Sequence, residues 1–177
     1  MRKNKLIVRI TVLRISALKR VKGMPRVTEI MIYERKEQDT LIVRTRSKVT
    51  ELAKLVDDVY NKIFSYLKEL NELPADVPFI KYHNIDMNDL DVEIGVPVLK
   101  QLPSRGDFKA GRMPGGKEVM CLFRGSYADT ESTYGEMAAF AAKNGLKLSG
   151  TATEYYFNSP AEVPESELIT KIVMPVE

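Results

Sequence analysis

The chain has no tryptophan, one cysteine and one histidine among its 177 residues. A single cysteine, Cys121, excludes an internal disulfide and any zinc site built on several thiolates. It fits a reducing compartment, and a cytoplasmic location is the expectation. It lies in the apolar run 119–123, where it reads as a small buried hydrophobe and not as an activated nucleophile. The lone His83 has Asp86 and Asp89 nearby but lacks the recurrent spacing of metal ligands, so it reads as a surface or loop histidine. No serine or cysteine sits in a nucleophile elbow, and a single histidine argues against a Ser-His-Asp triad. No run of 18 apolar residues exists, so no transmembrane helix is available. No cofactor or metal is expected. Without indole rings, any aromatic pocket must be built from the 8 Tyr and 6 Phe.

Acidic residues are missing from the first 26 positions, which carry nine basic ones: Arg2, Lys3, Lys5, Arg9, Arg14, Lys19, Arg20, Lys22 and Arg26. Of the whole chain's 27 basic and 24 acidic residues, 18 basic and all 24 acidic ones remain for the body, about −6. A net acidic body is a poor phosphate platform, so direct nucleic-acid binding is not expected. The leader, residues 1–26, has three readings: an appended strand or helix without chemistry, sequence upstream of a true start at Met24, or a basic membrane-surface segment. The first is preferred and the last ranks lowest.

Residues 27–33 read as a strand and 40–46 as its hairpin partner. Over 49–70 the apolar positions Leu52, Leu55, Val56, Val59, Ile63, Tyr66, Leu67 and Leu70 recur at helical steps, with Ser47 or Thr50 as N-cap. Pro74 and Pro78 enforce a loop, and 79–85 and 90–98 read as strands. A Gly/Pro-punctuated connector, 102–116, follows. The order then recurs as strand 117–123, helix 130–144 ending at Gly145, and strands 151–157 and 166–176. A separation of 74 residues matches Tyr60 with Tyr134, Asn71 with Gly145 and Tyr82 with Tyr156. The expected fold is therefore α+β: two pseudo-symmetric β-α-β-β units (about 27–100 and 111–177) forming antiparallel sheets, one long helix each, with a cleft between them.

Gly111-Arg-Met-Pro-Gly-Gly-Lys117 has Walker A spacing, but Glu118 replaces the needed Ser or Thr and a strand follows, so it reads as a turn. The informative stretch runs from Gly150 to Pro160. Strand alternation puts Ala152, Glu154 and Tyr156 on one face and Thr153, Tyr155 and Phe157 on the other. Ile80 and Tyr82 are the matching positions of the first half. If Glu154 faces inward, desolvation raises its pKa and a hydrophobic cation favours its ionised form; the alternative is a solvent-facing Glu154 on a half-exposed strand.

Pro114-Gly-Gly116, Gly125-Ser-Tyr127, the aromatic helix with Tyr134 and Phe140, Gly145, Gly150, Glu154-x-Tyr156, Asn158-Ser-Pro160 and the closing Ile172-Val-Met-Pro-Val176 together resemble the gyrase-inhibitor-like (GyrI-like) small-molecule-binding superfamily. The likeness spans about residues 27–177. It includes the effector-binding domains of AraC- and MerR-type multidrug-responsive regulators, built from tandem SHS2-type units. The resemblance implies a pseudo-twofold cleft for lipophilic, cationic small molecules, with Glu154 as the acid, Tyr156 as its late-strand neighbour and Tyr127 on the Gly-x-Tyr element. Tyr33, Tyr60, Tyr82, Phe123, Tyr134 and Phe140 are wall candidates. The tryptophan often found in the family's second helix is missing, with Phe140 or Ala141 nearby, and the basic leader has no counterpart. A stand-alone binding protein, sequestering or sensing such a ligand, is the first expectation. The alternatives are a metal-independent hydrolase of strained electrophiles using Glu154 with Tyr127 or Tyr156, and a gyrase-inhibitor-like module whose acidic body binds a protein partner.

Overall fold

The computed structural model describes residues 26–177; the expectations for the leader lie outside them, Arg26 excepted. The elements follow as β1 (Met31–Arg35), β2 (Gln38–Ser47), α1 (Val49–Glu69), β3 (Phe79–Tyr82), β4 (Leu90–Pro97), β5 (Lys109–Met113), β6 (Gly116–Arg124), α2 (Glu131–Lys143), β7 (Ala152–Tyr156) and β8 (Ile169–Pro175). Short 3-10 turns at Tyr127–Asp129 and Glu165–Glu167 complete the set.

The apolar stripe of the long helix does what its spacing predicts, burying Val59, Ile63, Tyr66 and Leu67. Its N-terminus departs from expectation. Lys48 holds the cap position without a side-chain bond, the Ser47 hydroxyl donates to the Lys48 carbonyl at 3.0 Å, and Thr50 already lies inside the helix. Beyond its C-terminus Asn71 takes φ 54°, and beyond that of α2 Gly145 takes φ 66°, the left-handed conformation that ends a helix.

The eight described strands join one antiparallel sheet in the order β1-β6-β8-β7-β3-β4-β2-β5. Two sequence expectations are corrected here. Residues 27–33 and 40–46 do not form a hairpin: β1 pairs with β6, Met31 opposite Met120, while β2 pairs with β4 and β5. Arg35 fixes the first strand in place by donating to Glu118 on β6 and to the Pro114 carbonyl. The second correction is β5, a strand inside the supposed connector, which takes the edge of β2 that a hairpin with β1 would have used.

Helices α1 and α2 pack on one face of the sheet. Around α1 gather Leu41, Ile80, Val92, Ile94 and Val96. Around Met137 and Ala141 of α2 gather Val119, Cys121, Phe123 and Ile172. Each such aliphatic side chain, fully buried, contributes roughly 1.5–3 kcal/mol. Val77, Phe79, Met113, Tyr155 and Val173 form a third cluster. Because Phe79 and Ile80, like Tyr155 and Glu154, are successive strand residues, that cluster lies on the opposite face.

Candidate functional site

Strand β7 is central in the sheet, and Glu154 sits at its middle. Its cross-strand partners are Ile80 on β3 and Ile172 on β8. Ile80 belongs to the core of α1 and Ile172 to that of α2, so the carboxylate stands where the two apolar clusters meet. Glu154 is only 7% exposed. The Tyr134 hydroxyl, reaching from α2, donates to Oε1 at 2.7 Å, and the Tyr156 hydroxyl donates to Oε2 at 2.7 Å. Burial pushes the Glu154 carboxyl above its ordinary pKa, and the two hydroxyls pull it back only in part. Among the described residues no lysine, arginine or histidine forms a salt bridge with it.

The tyrosines around it are ordered by their hydrogens. Tyr82 and Tyr156 hydroxyls lie 3.3 Å apart. Tyr156 has one hydrogen and gives it to Glu154, so Tyr82 is the donor to Tyr156. The resulting chain runs Tyr82 to Tyr156 to Glu154. Tyr127 sets its ring edge-on to that of Tyr156, centroids 5.4 Å apart, and is 38% exposed, the open side of the cluster. Its pKa is pushed up to about 12, by burial first and by the Glu154 charge second. Tyr60 on α1 donates to the Phe79 carbonyl at 2.9 Å. Burial and then the nearby Tyr82, Tyr127 and Glu154 hold its phenol far from ionisation.

Six of the nine sequence candidates thus come together: Glu154, Tyr156, Tyr134, Tyr82, Tyr127 and Tyr60. Phe123 is fully buried in the core under α2, and Phe140 packs half-buried against the same core. Tyr33 stands apart on edge strand β1, 49% exposed, with β6 and β8 between it and β7. Tyr134, weighed only as a wall, is a direct partner of the carboxylate.

Sequence reading missed a second buried acid. Glu118 on β6 is 3% exposed, but Arg35 Nε lies 2.9 Å from its Oε2. Burial raises its pKa while Arg35 and Lys171 oppose the rise. The contrast is chemical: one buried carboxylate has a cation and the other has only phenols.

Cys121 is buried, its thiol pushed up to about 12 by desolvation, a poor nucleophile. His83 Nε2 lies 2.8 Å from Glu93 Oε1 on the other sheet face. Among the described residues no group of three or more His, Cys, Asp or Glu is placed to share a metal ion. No helix among them is long and apolar enough to cross a membrane.

Several solved structures share this architecture. The C-terminal domain of EcmrR matches with TM-score 0.72 and 19% identity over 84% of this chain and 97% of that one. EcmrR in its complex with DNA matches with TM-score 0.73 and 18% identity over 97% of this chain, which spans only 65% of EcmrR there. A hydrolase from Listeria innocua gives TM-score 0.67 at 15% identity, covering 88% and 94% of the two chains. SAV2435, solved bound to tetraphenylphosphonium, gives 0.60 at 12%, covering 85% and 94%. At these identities the likeness is one of fold. Curated protein sequences give no match. The model of the GyrI-like small molecule binding domain matches residues 28–177, nearly all that the structure describes, and the chain belongs to that family.

Proposed function

We propose that the protein captures lipophilic cations in a recess between α1 and α2, either to sequester them or to act as a sensor through a partner. Glu154 is the counter-charge, and Tyr60, Tyr82, Tyr127, Tyr134 and Tyr156 are the walls. The observation that carries this is a buried carboxylate held by two phenol hydroxyls and by no basic side chain among the described residues. An ion so placed has lost its water without gaining a counter-ion, and a cation without a tight hydration shell restores the balance. Each tyrosine face it meets adds roughly 0.5–2 kcal/mol. SAV2435, of similar fold, holds a cation of this class.

The site falls at the join of two β-α-β-β units related by a pseudo-twofold axis between β3 and β7. Support comes from the sheet order, in which β3, β4, β2 and β5 on one side mirror β7, β8, β6 and β1 on the other. Asn71 and Gly145, 74 positions apart, share the same left-handed backbone, and Tyr82 meets its counterpart Tyr156.

Titration with tetraphenylphosphonium, followed by calorimetry, tests the proposal. The wild type should bind, and Glu154→Gln should weaken binding at least tenfold. Equal affinity for both removes the carboxylate from the mechanism. Hydrolysis of strained electrophiles is a second reading, favoured by one observation: burial raises the pKa of Glu154, which makes it a stronger base, with the Tyr156 hydroxyl beside it. Metal-independent turnover of an epoxide, lost in Glu154→Gln, would establish it over binding alone.

A further inference from the structure

Two threonines near the site carry buried hydroxyls that no group among the described residues engages. Thr170 on β8 and Thr133 on α2 are both fully buried, and neither hydroxyl has a hydrogen-bond partner. Buried hydroxyls are nearly always bonded, and a helical threonine has the carbonyl four residues back within reach. Thr133 does not use that escape. Both hydroxyls keep a donor and two acceptor positions uncommitted inside the protein.

Their placement ties them to Glu154. Thr170 is the cross-strand partner of Tyr156 on one side and of Phe123 on the other. Directly opposed strand residues share a face, so its side chain stands on the helix-covered face with the carboxylate. Thr133 adjoins Tyr134 and lies one helical turn before Met137, whose Sδ is 3.5 Å from Cys121 Sγ. One turn back along α2 is about 6 Å. Two residues on along β6, from Cys121 to Phe123, is about 6.8 Å. Since α2 runs back over β6, Thr133 comes level with Phe123, and therefore with Thr170. By this register the two orphan hydroxyls belong to the Tyr156 end of the site, the end at which the Tyr127 ring is set against that of Tyr156.

We propose that Thr133 and Thr170 form a polar subsite that receives a neutral hydrogen-bonding group of the ligand, so that the preferred ligand is an aromatic cation bearing one carbonyl, amide or hydroxyl. This deepens the cation-binding proposal and rests on it. The acid neutralises charge at one end while the threonines select among cations of equal charge at the other.

A matched probe pair tests it: tetraphenylphosphonium, which has no hydrogen-bonding group, and its derivatives carrying one carboxamide at the ortho, meta or para position of a single ring. Against wild type, at least one carboxamide probe should bind more tightly than the parent. In Thr170→Val and Thr133→Val, which keep side-chain shape, that probe should lose about fivefold or more in affinity while the parent is unchanged. Thr170→Ser should restore the preference. The valine variants should melt no lower than wild type, because they delete groups that the free protein leaves unbonded. Equal loss for both probes, no loss for either, or a clear fall in melting temperature on Thr→Val would overturn the subsite. If tetraphenylphosphonium fails to bind wild type at all, the cation proposal itself falls and the subsite with it; if it binds and weakens in Glu154→Gln, a failure of the threonine arm refutes the subsite alone.

Discussion

Glu154 carries a cost that the fold tolerates. Its carboxyl is held above the ordinary range because burial outweighs the help from Tyr134 and Tyr156. Between its unfolded and folded pKa values the native state therefore binds more protons than the unfolded chain, and stability falls as pH rises through that window. Thermal melts should show Glu154→Gln to be more stable than wild type at neutral pH, with the gap closing towards acid; a gap that does not depend on pH contradicts the assignment. Capture of a permanent cation runs the opposite way. Below the raised pKa the ligand must expel a proton, so affinity should weaken by up to tenfold per pH unit on acidification, with a flat profile in the glutamine variant. Strand alternation left open whether Glu154 faces inward or outward; the family resemblance of its Glu-x-Tyr setting pointed to it, and the structure buries it. Thr170 and Thr133 were not legible in the sequence, because a threonine in a strand or helix looks ordinary until its hydroxyl is found buried without a partner.

At the level of elements, glycines separate close packing from free space. A Cβ at Gly95 on β4 would come within 2.6 Å of the Leu41 carbonyl oxygen and 2.7 Å of Ile42 Cγ2. Gly95→Ala should cost about 1–3 kcal/mol in denaturant melts by overpacking. Gly135, on the exposed side of α2, has nothing within 4 Å of its added Cβ. Gly135→Ala should stabilise by up to about 1 kcal/mol through helix propensity. Helix α1 could be read from periodicity because it buries one stripe; strands β2, β3, β4, β6, β7 and β8 could be read from β-branched and aromatic runs bounded by turn residues, although the central ones bury both faces, as Thr153, Glu154 and Tyr155 of β7 do. Strand β5 could not. Lys109-Ala-Gly-Arg-Met113 has no alternation to detect, and it is a strand because β2 offers it an open edge. The pairing of β1 was hidden because it is made over a long separation: β1 pairs with β6 along five residues, and Arg35 reaches Glu118, 83 positions away.

For the whole molecule, the consequential join is the pairing of β3 with β7, four residues long, which makes a single sheet of what would otherwise be two. Tyr60 on α1 donates to Phe79 in that join, Tyr134 on α2 holds Glu154 in it, and β1 from the beginning of the chain closes the far side on β6. The two halves should therefore unfold together: urea transitions followed by far-ultraviolet circular dichroism and by tyrosine emission should coincide, and a split transition would show the halves to be independent. Lacking indole, the protein reports on itself through its phenols alone. Two of these, Tyr134 and Tyr156, are hydrogen-bonded to a carboxylate, an arrangement that quenches the excited phenol by drawing off its proton. A guest that claimed the charge of Glu154 would release both rings from that quenching, and occupancy would then be visible as a gain of ultraviolet light from an unlabelled sample.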